Sequence, residues 1–271
     1  MEKEFTRNLG IILLSIDRTY RSPNLLDVVR SSGIDFVELD ASTPTKMYNL
    51  ITTSKLGQIL KLGRLLSDRE IATYETHLRA QVSSFSKFSR WTIIIEDDAI
   101  INQETIQFLK SIDQFYRQRP MFLNLYPSGG SLRNENLNIR DSFPNVIKTN
   151  LLHSGAVAYA LNDTAHEIIS RNLESKVISP ADFPPLFNTF EKYICRVPLV
   201  MHSDMTQSTI YDLDRNQNNR KIPRLIGFAS LLSFVLYRKE NVNFKNYLDL
   251  ELRQRFLRRK LLRTSVIGNN L

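Results

Sequence analysis

Short apolar runs alternate with segments whose apolar residues recur every three or four positions. Leu9–Ile16 is a run of buried-strand length that ends at the polar pair Asp17-Arg18. Asn24–Arg30 has helical spacing, Gly33 ends it, and Phe36–Leu39 is the next strand candidate. Ser67 and Glu70 have the spacing of a capping box, and the helix they open carries Ile71, Tyr74, Leu78 and Val82 on one stripe. Trp91–Ile95 is a third strand, followed by Glu96, Asp97 and Asp98 and then by a helix with Ile106, Leu109, Ile112 and Tyr116 inward. Met121–Tyr126 ends at Pro127-Ser128-Gly129-Gly130. Ala156–Leu161 and Ile194–Val200 are further strand candidates, with a helix at Asp163–Arg171 between them. This alternation predicts an α/β fold with a mostly parallel sheet and helices on both faces.

Two stretches read as loops near a site: the polar Asn134–Asn145 and the proline-rich Ser179–Pro185. The tail differs in kind. Leu225–Tyr237 is mostly apolar but falls short of the roughly 20 residues a spanning helix requires. Leu248–Leu262 then interleaves Arg253, Arg255, Arg258, Arg259 and Lys260 with Leu252, Phe256, Leu257 and Leu261, the pattern of a basic amphipathic helix on an anionic membrane. The expected division is a globular domain over residues 1–220 and a basic, membrane-associating segment over 221–271.

Charge sharpens that division. The net charge is +8, and residues 221–271 account for all of it, with eleven Lys/Arg against three Asp/Glu; the rest balances at 25 of each. A neutral body with a basic tail points to an anionic membrane surface rather than nucleic acid, for which the body offers no recognisable module. The single cysteine, Cys195, excludes a disulfide framework and a cysteine zinc site and fits a reducing compartment. Lying in an apolar strand, it reads as core rather than nucleophile. Met1-Glu2-Lys3-Glu4 lacks the basic start of a secretory signal, so a cytoplasmic protein is expected, peripheral on the inner membrane.

The strongest chemical signal is Glu96-Asp97-Asp98. Three adjacent carboxylates leaving a buried strand repel one another and resist desolvation without a cation nearby. Ligands of open α/β sheets bind beyond the carboxyl ends of strands, and Mg²⁺ or Mn²⁺ is held there by one or two carboxylates plus substrate phosphates. Alternation puts Glu96 and Asp98 on one side, the spacing of an acid-x-acid metal–nucleotide motif. An acidic turn capping the next helix is the plainer reading, but Asn102 is the better-placed cap. His202, after the last strand candidate, is a further ligand candidate or a surface histidine; neutral imidazole suits manganese.

Several motifs in one order then carry a resemblance. Leu14-Ser15-Ile16-Asp17-Arg18-Thr19-Tyr20-Arg21, the helix Arg64–His77, Ile94-Ile95-Glu96-Asp97-Asp98-Ala99, Ser154–Leu161 and Ser179-Pro180-Ala181-Asp182-Phe183 resemble glycosyltransferase family 25, the lipooligosaccharide galactosyltransferases. The likeness covers roughly residues 9–210. Ser15, Arg69 and Thr76 depart from the family's Asn, Gly and Ser.

The resemblance implies a GT-A-like nucleotide-sugar fold, a UDP-sugar donor, a divalent metal (Mn²⁺ or Mg²⁺) and inversion at the anomeric carbon. The globular domain is then a glycosyltransferase catalytic domain, moving a hexose such as galactose to a hydroxyl of a lipid-linked oligosaccharide. Asp98 and His202 are the expected metal ligands, with Ser15, Asp17, Arg18, His77, Glu96 and Asp97 on the donor; a satisfied half-buried histidine is the alternative for His77, and an ion pair at the strand end for Asp17 and Arg18. Glu96 or Asp97 would reach the ribose or bridge to the metal through water. Asp182, held between prolines, is the candidate base for the acceptor hydroxyl, with a local turn bond as the alternative. The rival readings are another nucleotide-sugar or nucleotidyl transferase and a non-catalytic nucleic-acid binder using its tail.

Overall fold

The computed structural model describes residues 7–16, 18, 22–48, 50–62, 65–87, 89–126, 146–149, 155–172, 185–195 and 198–202. The basic segment 221–271 and both expected loop stretches, apart from Pro185, lie outside the described residues.

In chain order the elements are β1 (Arg7–Ser15), α1 (Leu25–Ser31), β2 (Asp35–Asp40), α2 (Lys55–Leu62), α3 (Asp68–Gln81), α4 (Ser84–Lys87), β3 (Ser89–Glu96) and β4 (Ala99–Ile100). There follow α5 (Gln103–Ser111), β5 (Met121–Asn124), β6 (Val146–Thr149), β7 (Ala158–Asn162), α6 (Asp163–Arg171), β8 (Glu191–Cys195) and β9 (Met201–His202). Seven strands form one sheet in the order β2-β1-β3-β7-β5-β8-β6, and β4 pairs with β9 in a separate two-stranded ribbon. β2, β1, β3, β5 and β8 run one way; β7 and β6 run against them.

Strand alternation divides the apolar residues between two cores. Ile11, Leu13, Trp91, Ile93 and Ile95 face one side, where Leu25 and Val29 of α1 and Ile106 and Leu109 of α5 cover them. Ile12, Leu14, Ile94, Tyr159 and Leu161 face the other, under Leu78 of α3, Ala165 and Ile169 of α6, and Phe187 and Phe190. Because both faces are covered, β1 and β3 read as continuous apolar runs rather than alternating ones. The α/β expectation with helices on both faces is met.

Two expectations shift. The last main-sheet strand is Glu191–Cys195 rather than Ile194–Val200, because Glu191 pairs with Met121 at the start of β5 and its N–H bonds Pro120 O at 2.8 Å. On α3 the capping box forms as expected, with Ser67 Oγ accepting the Glu70 N–H and Glu70 Oε2 accepting the Ser67 N–H. Its expected apolar stripe is only partly the buried face: Ile71, Tyr74 and Val82 are half-buried, while Glu75, Thr76, His77 and Gln81 are buried. The cause is the segment after β2. Glu75 accepts the Tyr48 and Leu50 N–H groups at 2.9 and 3.1 Å, Thr76 accepts the Ser42 N–H, and Arg79 donates to Asp40 O. Polar side chains are buried there because they satisfy backbone that would otherwise be orphaned.

Candidate functional site

β2 lies on one side of β1 and β3 on the other, so the chain reverses its direction of travel across the sheet between β1 and β3. Connections leaving opposite ways open a crevice at the carboxyl ends of those two strands, the usual ligand position in such sheets. Their register pairs Leu14 with Glu96, which sets Ser15 beside the start of the acidic turn. Ser15 is buried, and its hydroxyl has no hydrogen-bond partner among the described residues. Arg18 is exposed in a left-handed turn at φ 56°, and the Ser22 N–H ties the far end of this loop to Asp97 O at 3.0 Å. Asp17 lies outside the described residues.

The three acids take different positions. β3 ends at Glu96, and Asp97 and Asp98 form a turn into β4, so strand alternation does not extend to Asp98. Glu96, with 23% of its side chain exposed, accepts from His77 Nε2 at 2.9 Å. Asp98 Oδ2 lies 3.0 Å from His202 Nε2, with only 4% of the Asp98 side chain exposed. Asp97 is buried as well. None of the three is needed to cap α5, because Asn102 accepts the Thr105 N–H at 2.9 Å. Carboxylates as buried as Asp97 and Asp98 are costly unless a cation or donors compensate them.

His202 reaches Asp98 through backbone. Ala99 and His202 are ladder partners in the β4–β9 ribbon. Upstream, the Leu199 N–H bonds Leu125 O at 3.1 Å and Thr105 Oγ1 donates to Leu199 O, which docks this segment between β5 and α5. The Tyr126 ring packs against the imidazole with centroids 6.2 Å apart. Behind Tyr126 stands Gly155 at φ +117°, where an added Cβ would meet Tyr126 O at 2.4 Å.

His77 is 3% exposed and both ring nitrogens are engaged, Nδ1 with Tyr159 at 3.0 Å and Nε2 with Glu96, the arrangement of a satisfied buried histidine. It meets the crevice through Glu96. The reason is the face it occupies: Glu75, Thr76, His77 and Gln81 form the buried side of α3, while Ile71, Tyr74 and Val82 are half-buried. Tyr159 and Gly155 lie in the Ser154–Leu161 motif, where neither carried a site role, and Tyr126 ends a strand candidate; their contacts with His77 and His202 come from tertiary folding. Cys195 is buried, and burial pushes its thiol up to about 12, as suits a core residue. Asp182 lies outside the described residues.

One carboxylate and one imidazole form a mixed oxygen–nitrogen donor pair that suits Mn²⁺, and nucleotide sites complete such a set with substrate phosphates. Among the described residues no three His, Cys, Asp or Glu side chains group as a complete metal site. The buried His202 Nδ1 has no hydrogen-bond partner among the described residues. Among them, too, no helix is long and apolar enough to cross a membrane.

No family model and no curated protein matches this chain. Among solved structures, the crystal structure of A197 from STIV matches 71% of this chain and 83% of its own at 14% identity, with a TM-score of 0.35.

Proposed function

We propose that the chain is a metal-dependent, inverting glycosyltransferase of GT-A-like layout. It moves a hexose, with galactose the first candidate, from a UDP-sugar to a hydroxyl of a lipooligosaccharide or related lipid-linked acceptor. The observation that carries this reading is the meeting of Asp98 with His202 at 3.0 Å beside Glu96, at the crevice between β1 and β3. An acidic strand end at a switch point supports nucleotide binding, and the family resemblance of residues 9–210 supports the sugar.

The chain's own residues divide the work. Asp98 and His202 would hold a manganese or magnesium ion, which supplies Lewis-acid stabilisation of charge on the departing diphosphate. Glu96 accepts hydrogen bonds from donor hydroxyls, its direction set by His77. Ser15 and Asp97, buried at the ends of β1 and β3, would lie against the donor, with Asp17 and Arg18 following β1 in sequence. Asp182 takes the acceptor proton as the new bond forms opposite the leaving group. The basic segment 221–271 rests on an anionic leaflet, making the protein peripheral on the inner membrane and close to its acceptor.

The test is direct. Purified protein is incubated with UDP-galactose, UDP-glucose or UTP and Mn²⁺, with release of UDP and thermal stabilisation as readouts. Mn²⁺-dependent UDP release from one UDP-hexose is expected. Release of pyrophosphate from UTP instead would favour a nucleotidyl transferase, and no response to any of the three overturns the reading.

A further inference from the structure

We infer that Gln81, Tyr159 and His77 form a hydrogen-bonded chain that fixes the direction of the Glu96 carboxylate, so that Tyr159 and Gln81 are positioning residues for donor-hydroxyl recognition. The donor half of this rests on the function proposed above; the chain itself does not.

The geometry sets the proton order. Gln81 Nε2 donates to the Tyr159 hydroxyl oxygen at 2.8 Å. An amide nitrogen can only donate, so the Tyr159 hydrogen is directed to His77 Nδ1, 3.0 Å away. Nδ1 thereby becomes the acceptor, and the ring hydrogen stays on Nε2, aimed at Glu96 Oε1 at 2.9 Å. A carboxylate that accepts from a held imidazole cannot rotate without breaking a charge-assisted bond.

The supports come from every side. His77 and Gln81 are one turn apart on α3 and so share a face. Tyr159 is fixed by its pairing with Ile94 and by ring contacts with Phe122 and Phe187 at 5.6 and 6.4 Å. From α6, His166 Nδ1 donates to Gln81 O at 2.6 Å and pins the end of α3. Gln81, Tyr159 and His77 are 6%, 3% and 3% exposed, and only Glu96 opens to the crevice. Such a chain in a dry interior is stronger than the same bonds in water, and it holds its last member in one direction.

The experiment has two arms. In the first, ring ¹⁵N shifts of His77 are recorded in the full-length protein and in Tyr159→Phe. The wild type should hold the Nε2–H tautomer with Nδ1 shifted by the bond it accepts; in Tyr159→Phe the Glu96 carboxylate keeps the hydrogen on Nε2, but the Nδ1 resonance should move toward that of an unbonded ring nitrogen. In the second, KM and kcat for UDP-galactose with Mn²⁺ are compared among wild type, Tyr159→Phe, His77→Gln and the double variant. Tyr159→Phe should raise KM about 3–10-fold with a smaller fall in kcat, the size of one lost directing hydrogen bond. His77→Gln offers Glu96 an amide donor with no tautomer to set, so adding Tyr159→Phe to it should raise KM little further. An Nδ1 shift unchanged by Tyr159→Phe, or fully additive KM effects, overturns the chain. If near-ultraviolet circular dichroism shows Tyr159→Phe misfolded, Gln81→Met takes its place: it frees the Tyr159 hydroxyl to turn, so a smaller change of the same sign at Nδ1 and in KM is expected. If the wild type neither binds nor turns over UDP-galactose, the donor assignment falls while the Nδ1 arm still decides the chain.

Discussion

Asp98 Oδ2 and His202 Nε2 lie 3.0 Å apart because the residue after Asp98, Ala99, is the ladder partner of His202 in the β4–β9 ribbon. Two backbone pairings therefore hold a carboxylate against an imidazole at the mouth of the sheet. A cation bound there would meet both side chains.

That arrangement makes the metal testable without turnover. Asp98→Asn keeps the side chain's shape but removes the charge, so Mn²⁺ affinity in the presence of UDP should fall at least about tenfold, and transfer should fall further, as expected for lost charge stabilisation. His202→Gln should weaken Mn²⁺ less. Electron paramagnetic resonance titration of free Mn²⁺ measures both. Near-normal affinity in Asp98→Asn would place the metal elsewhere.

The helix that carries His77 depends on its first turn. Ser67→Ala removes the oxygen that accepts the Glu70 N–H while leaving the Glu70–Ser67 bond in place. Loss of such a cap costs about 1 kcal/mol. The urea midpoint should drop accordingly with an unchanged slope, and a midpoint equal to wild type would mean that tertiary contacts alone hold this turn.

How much of this was legible follows from what each feature depends on. β1 and β3 are visible in sequence because burial on both faces leaves uninterrupted Ile and Leu runs. The Ser67–Glu70 box is visible because it is local. The pairing of Asp98 with His202 could be suspected only residue by residue, since the ribbon that joins them is two residues per strand and has no periodicity. The burial of Glu75, Thr76 and Gln81 was illegible: those residues satisfy backbone and side-chain groups brought in by tertiary folding, and a polar residue carries no local sign that it will be buried. The two reversed strands were equally hidden, because direction is set by connection and not by composition.

Acid should reach Glu191 late, below the pH at which an ordinary carboxylate protonates. Burial raises its carboxyl, but bonds from Lys148, Tyr193 and Arg119 together outweigh this and hold it below the ordinary carboxylate range. A folded value below the unfolded one contributes stability that is present above the unfolded value, about 4.3, and lost as pH falls through the folded one. Glu191→Gln should therefore melt lower than wild type at pH 7, with the gap closing as pH falls below about 4. Melting curves from pH 7 to pH 3 decide it; a gap that persists to the lowest pH means the loss was packing, not charge.

The basic segment 221–271 gives a prediction about place rather than chemistry. Each Lys or Arg near an anionic leaflet contributes about 1 kcal/mol, and five fall between Arg253 and Lys260. Removing residues 244–271 should release the protein from vesicles containing phosphatidylserine and lower transfer to a lipid-embedded acceptor more than to a soluble oligosaccharide. Hydrolysis of UDP-sugar should persist. A truncated protein that still pellets with the vesicles would assign membrane contact to another part of the chain.

Gly155 connects backbone strain to the Asp98–His202 pair. Its φ of +117° is one that side-chain-bearing residues rarely adopt, and a Cβ there would stand 2.4 Å from Tyr126 O, closer than any real contact. Gly155→Ala must therefore shift β7's entry, Tyr126, or both, and should destabilise by about 1–3 kcal/mol. The Tyr126 ring packs on His202, so a displaced Tyr126 releases one wall of the imidazole site. Mn²⁺ affinity should fall together with melting temperature. Tyr126→Phe keeps that ring wall, so it should preserve Mn²⁺ affinity. If Gly155→Ala lowers stability but leaves Mn²⁺ binding untouched, Tyr126 does not hold His202 in place, and the ribbon alone positions the ligand.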